Sequence, residues 1–167
     1  MEFFNVAVLV KNKYGVLNRV TSMFRRRQFN IVSLNVSETE TPEFSRITVK
    51  AEGDVSEKQQ LINQLYKLPD VKSIKELAED AILSEVLLIK IQNDPAYRGE
   101  VLDAASAFGA KPVDYNHDAI VLQLTETSRK IDDFISFLQA YNIMEICRSG
   151  VVSLERGESV LRVNSYL

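Results

Sequence analysis

The chain has one cysteine, one histidine and no tryptophan among its 167 residues. A single thiol, Cys147, excludes an internal disulfide framework and suits a reducing compartment, so the expected location is the cytoplasm. Cys147 falls in an apolar strand pattern and is expected in the core rather than as a nucleophile. A single imidazole, His117, lies between two expected strands with no orienting partner, which reads as an exposed turn residue and not a general base. No HExxH, CxxC or similar spacing marks a metal site, and no phosphate-binding glycine loop or dinucleotide fingerprint occurs. Carboxylates are scattered over turns and helix faces without a marked pair. No apolar run is long enough to cross a membrane. The first residues lack the charged and apolar regions of a signal peptide. Positive charge is not in excess: 20 Lys and Arg against 23 Asp and Glu leave a net charge of −3, which gives no electrostatic case for nucleic acid. No residue set supports an enzyme, and no metal or cofactor is expected in this chain.

What is present is an ordinary globular composition, 46% hydrophobic and 26% charged. The length fits one medium domain or two small ones, and small domains often gain stability by pairing. Phe3 to Val10 is apolar on both alternating faces except at Asn5, the pattern of a central strand covered on both sides. Val16, Leu17, Val20, Met23 and Phe24 then recur at helical spacing, and Arg25 to Arg27 close that helix, where cations complement the dipole. Asn30 to Ser37 and Ser45 to Ala51 alternate as strands, with a turn at Glu38 to Glu43. Ser56 with Gln59 reads as a capping box for a helix carrying Leu61, Ile62, Leu65 and Leu68 and stopping at Pro69. Val71 to Leu77 is a short strand. The order is β-α-β-β-α-β.

The pattern then recurs. Glu85 to Gln92 is a strand, and Gly99 precedes a helix with Val101, Leu102, Ala104, Ala105 and Phe108. A shift of 84 residues maps Gly15 onto Gly99 and Phe24 onto Phe108. Lys111 to Asn116 and Ala119 to Thr125 are strands, Ser128 opens a helix, and Ile143 to Leu154 supplies the last strand. The expected fold class is therefore α+β, two tandem ferredoxin-like domains spanning 1–78 and 79–167, the second with a C-terminal tail.

The stretch Asn12-Lys13-Tyr14-Gly15-Val16-Leu17 joins the first strand to the first helix. The first turn of a helix has unpaired N–H groups and partial positive charge, and glycine lets a small anion reach the backbone. Asn12 adds a side chain that donates and accepts. Read alone, Gly15 is better explained as simply making the turn, because glycine turns before helices are common. An RNA-recognition module shares this topology, but it stacks bases on aromatic central strands, and Ser45 to Ala51 has none.

These residues resemble a known family. Leu9 to Leu34 (LVKNKYGVLNRVTSMFRRRQFNIVSL) is similar to the start of an ACT domain, a ferredoxin-like module that binds amino acids at subunit interfaces. More narrowly it resembles the small regulatory subunit of acetohydroxyacid synthase, also called acetolactate synthase. Pro42 to Thr48 (PEFSRIT), Lys67 to Val71 (KLPDV), Leu88 to Ile91 (LIKI) and Arg148 to Gly157 (RSGVVSLERG) match further segments of that family in order. Gln28 departs from the glycine common there, and Tyr14 is bulkier than the usual residue. The resemblance implies a non-catalytic partner of a catalytic large subunit that itself carries thiamine diphosphate, Mg and FAD. It implies activation of that subunit and feedback inhibition by valine or another branched-chain amino acid. The implied effector positions are Asn12, Gly15 and Asn30, with the backbone around Val16 and Leu17. A homodimer through the first domains is expected, because Asn30 to Ser37 should be an unpaired sheet edge. The second domain is not expected to hold the same site, because Gly99 lies six positions after Asn93, with Pro95 and Arg98 between them, against three positions from Asn12 to Gly15 in the first repeat. A stand-alone amino-acid sensor is the competing class.

Overall fold

The structure, a computed structural model, describes residues 2–26 and 29–163. Arg27 and Gln28, singled out above, lie outside the described residues. The chain divides into two compact units: Met1–Ile82 with Val151–Leu167, and Leu83–Gly150. The sequence reading set the boundary after residue 78 and kept residues 151 onward with the second domain.

The first unit contains β1 (Glu2–Lys11), α1 (Val16–Arg26), β2 (Ile31–Glu38), β3 (Phe44–Gly53), α2 (Val55–Leu65) and β4 (Val71–Glu76). Its antiparallel sheet has the order β2-β3-β1-β4, the split βαβ arrangement. β1 is central, with Val6 opposite Val49 and Val8 opposite Ile47 on β3, and Val8 opposite Ile74 on β4. The alternation puts Phe4, Val6, Val8 and Val10 on one face. There they pack with Val16, Val20 and Phe24 of α1 and with Leu61 and Leu65 of α2. The period of 2 in the strands and 3.6 in the helices thus meet in one core.

The other face carries Ala7 and Leu9 opposite Thr48 and Arg46. Part of what borders it is the returning segment at the end of the chain. Arg46 Nη2 donates to Ser153 O at 2.6 Å, Ala78 N donates to Glu155 Oε1 at 3.0 Å, and Arg156 Nε donates to Asp80 O at 2.6 Å. Lys75 bonds to Ser159. Burial lowers the Arg46 pKa from its ordinary value, against the opposing pull of Glu40 and Glu155. The tail without a legible pattern is thereby pinned to the first unit by polar contacts rather than by Val160 and Val163, which are exposed.

The second unit contains β5 (Ile82–Gln92), α3 (Arg98–Phe108), β6 (Lys111–Tyr115), β7 (Ala119–Glu126), α4 (Ser128–Leu138) and β8 (Ile143–Arg148). Its strands run β6-β7-β5-β8, the same order as in the first unit. Leu87, Ile89 and Ile91 of β5 pack with Ile120, Leu122 and Leu124 of β7 and with Ile131, Phe134 and Leu138 of α4.

Four local expectations are corrected. The N-cap of α2 is Asp54, not Ser56. Asp54 accepts from Glu57 N at 2.8 Å, and Glu57 Oε2 accepts from Asp54 N at 2.7 Å, a complete capping box begun two residues earlier. Gly99 lies inside α3 instead of before it, and it lacks the positive φ of Gly15. The last strand is broken into β8 and β9 (Val152–Leu154). Ser149 N donates to Val86 O and Gly150 turns at φ 75°, which ends the ladder. Cys147 is exposed, not in the core. It sits opposite Leu88 on an edge strand, on the face away from Leu87 and Ile89.

Candidate functional site

The turn between β1 and α1 is built by Gly15. Its φ of 79° is left-handed, which L side chains avoid, and it aims the chain into α1 without a capping side chain. Val16 N is taken by Lys13 O at 3.3 Å, and the helical ladder begins with Arg19 N to Gly15 O at 3.0 Å. Between them, the N–H groups of Leu17 and Asn18 meet no acceptor among the described residues. The first turn of α1 also holds no acidic side chain. Arg19 lies beside Gly15, its Nη1 3.4 Å from where a Cβ would stand. The guanidinium is held by Asp70 Oδ2 through Nε at 3.0 Å and Nη2 at 2.6 Å. Two free N–H groups, the helix dipole and a neighbouring guanidinium make this end of α1 a niche for a small anion.

Asn12 stands at the edge of the niche, exposed. Its backbone N donates to Glu43 O at 2.7 Å. Its Nδ2 donates to Glu38 Oε1 at 2.9 Å and to Pro42 O at 3.0 Å. Glu38 ends β2, so the Gly15 turn lies at the C-terminal end of that strand. Asn30 precedes β2 and is exposed, with its carbonyl accepting from Glu52 N at 3.4 Å. An eight-residue strand spans roughly 26 Å. Asn12, Gly15, Val16 and Leu17 are therefore together, and Asn30 of the same chain is at the far end of β2. Val16 is buried in the core, so its backbone and not its side chain faces the niche; Leu17 is 41% exposed.

Sequence reasoning missed Glu38, Asn18 and Arg19. The first was read only as the start of a turn, and nothing in the spacing tied it to Asn12, 26 positions away.

The counterpart in the second unit differs in burial and in the residues of its first helical turn. Asn93 is buried, donating to Asn116 O at 2.5 Å and accepting from Arg98 Nε at 2.7 Å. Asp94 occupies the turn, where its Oδ1 accepts from Ala96 N at 2.8 Å, and Glu100 lies in the first turn of α3. Arg98 stands with Asp94 and Glu100 there as Arg19 stands with Asp70 and Glu38 at the Gly15 turn, but here one carboxylate lies in the first helical turn itself. Elsewhere in this unit Glu85 is buried and takes Arg148 through Nε at 2.7 Å and Nη2 at 2.8 Å, with Ser128 Oγ at 2.8 Å. That pairing holds the Arg148 guanidinium above its ordinary pKa. It ties β5, α4 and β8 together and is structural. Glu100 pushes the Tyr141 hydroxyl up by accepting its hydrogen bond at 2.8 Å. Among the described residues no group of three or more His, Cys, Asp or Glu could hold a metal, and no helix is long and apolar enough to cross a membrane.

Tandem split-βαβ units, the first with a left-handed glycine feeding an uncapped helix beside an open strand edge, define an ACT-type protein. Comparison with known proteins narrows the class. Residues 6–73 match the family model described as AHAS small subunit-like ACT domain, and residues 84–157 match that described as small subunit of acetolactate synthase. The acetolactate synthase small subunit of Mycolicibacterium smegmatis is 42% identical over 153 residues, covering 91% of this chain and 90% of that protein. The acetolactate synthase isozyme 3 small subunit of Escherichia coli is 37% identical over 159 residues, covering 94% and 98%. The crystal structure of the acetolactate synthase small subunit from Thermotoga maritima superposes with a TM-score of 0.88 at 31% identity, covering 95% of this chain and all of that one. The chain belongs to the family of acetolactate synthase small subunits.

Proposed function

We propose that this chain is a non-catalytic regulatory subunit. It raises the activity of a thiamine-diphosphate-dependent catalytic large subunit in the cytoplasm and conveys feedback inhibition by a branched-chain amino acid, valine first. The observation that carries the effector reading is the pair of unpaired N–H groups of Leu17 and Asn18 at the Gly15 turn. An amino-acid carboxylate would accept from them, where the dipole contributes about 0.3–2 kcal/mol. Burying an isopropyl group would add roughly 1.5–3 kcal/mol. Ordering costs offset these terms, which leaves micromolar to millimolar binding, the range a feedback effector needs.

The second support is the separation of Asn30 from Asn12. β2 is an edge strand with Val32 and Val36 exposed, and such an edge invites a second strand. Antiparallel pairing of β2 with β2 of a second copy would set Asn30 of one subunit beside the Asn12 turn of the other. Two subunits would then make one site, and ligand would report on their arrangement. A coupling of about 1–3 kcal/mol suffices for control. The experiment is reconstitution with the purified cognate catalytic subunit. Acetolactate formation should rise when this chain is added, and valine should lower it only when this chain is present. Valine binding without any effect on the catalytic subunit would indicate a stand-alone sensor instead.

A further inference from the structure

Asn12 offers unlike chemistry on its two sides. Its Nδ2 donates to Glu38 Oε1 at 2.9 Å and to Pro42 O at 3.0 Å. A carboxylate oxygen and a carbonyl oxygen can only accept. The orientation of the amide is therefore dictated by its partners, because a flipped amide would face Oδ1 against both of them. Both Nδ2 hydrogens are engaged, one of them in a charge-assisted bond. The side chain is exposed, and the only atom it can still present to a ligand is Oδ1, an acceptor. Asn12 thus recognises a donor and cannot recognise a carboxylate. The donors that suit a carboxylate are on the other wall of the niche, at Leu17 and Asn18.

We infer that Glu38 is a positioning residue of this site: it locks Asn12 so that Oδ1 selects the ammonium of a zwitterionic α-amino acid. The negative charge of Glu38 itself acts in the same direction. A carboxylic acid of the same skeleton without the ammonium leaves Oδ1 unpaired and is rejected, since a polar group built to bond its ligand discriminates strongly against an analogue lacking the partner. The regulator would in this way tell a finished amino acid from carboxylate precursors that share its carbon skeleton. This inference rests on the reading of the Gly15 turn as the effector site.

The test is calorimetric titration of the full chain with L-valine and with 3-methylbutanoate, which is valine without its amino group. Wild type should prefer valine by at least about tenfold. Glu38→Gln keeps an acceptor for Asn12 and removes one exposed charge, so valine affinity should stay within about threefold of wild type. Glu38→Lys offers only donors to Asn12 and sets a like charge beside the ammonium. Valine affinity should fall by about tenfold or more while 3-methylbutanoate binds as before, collapsing the preference. A merely structural role would weaken both ligands together. The inference is overturned if wild type binds valine and Glu38→Lys keeps the same preference, in which case the effector site stands without it. If wild type binds none of valine, leucine or isoleucine, the inference and the site reading both fail.

Discussion

Removing the Arg148 guanidinium should destabilise the second unit severely. Arg148 donates through Nε and Nη2 to Glu85, whose side chain is only 4% exposed, and through Nη1 to Asp132, whose side chain is 61% exposed. The Asp132 contact is worth little in water. The Glu85 contact is the important one, because Arg148→Ala takes the guanidinium away from a buried carboxylate that it holds through two hydrogen bonds. Breaking one side of a buried pair costs about 3–5 kcal/mol, and the side chain of Arg148 is itself 33% exposed, so water can partly replace it and the low end, about 3 kcal/mol, applies. A unit of this size holds only about 3–10 kcal/mol in all. With a urea slope of about 1–1.5 kcal/mol/M, the midpoint should fall by about 2–3 M, read by circular dichroism on the full chain. Removing both partners, Arg148→Met with Glu85→Leu, should cost less than Arg148→Ala alone, since no charge is left buried. The guanidinium's raised pKa means its contribution is present at every pH below its ordinary range and is lost only as pH rises above it. A loss under about 0.5 kcal/mol for Arg148→Ala, or a double variant as unstable as the single one, would refute the burial argument.

Two further outcomes follow from the first unit. Asp54→Ala should cost about 1 kcal/mol of stability in urea titration while Ser56→Ala stays within about 0.5 kcal/mol, because the capping box begins at Asp54. Light scattering at micromolar concentration should give at least a dimer through the open β2 edge; a monomer would remove the two-subunit site.

The architecture was legible where periodicity is strong. Phe3 to Val10 and the stripe from Val16 to Phe24 announced the core of the first unit, and the shift from Gly15 to Gly99 announced the tandem. Boundaries set by side-chain bonds were less legible. Ser56-x-x-Gln59 and Asp54-x-x-Glu57 are equivalent as text, and only the β-region backbone of Asp54, φ −88° and ψ 176°, decides between them. Cys147 was misplaced because an apolar run does not say which face of an edge strand is covered. The return of residues 151–159 to the first unit depends on Arg46, Ala78, Lys75 and Asp80, long-range polar contacts with no period to read. At the candidate site, Asn12, Gly15 and Leu17 are adjacent in sequence and could be grouped. Glu38 came to Asn12 only through the β2–β3 hairpin.

The proposed site, a branched-chain amino acid at the Gly15 turn completed by Asn30 of a second subunit, is open to calorimetric titration with valine, leucine and isoleucine on wild type and on Gly15→Asp and Asn30→Ala. Gly15→Asp sets an acid between Arg19 and the free N–H groups of Leu17 and Asn18, where it takes the place of the ligand carboxylate. Asn30→Ala removes an exposed side chain and should leave the fold intact. Wild type should bind valine in the micromolar to millimolar range, with each variant weaker by about tenfold or more. Wild type that binds none of the three, or variants that bind as tightly as wild type, would contradict the assignment.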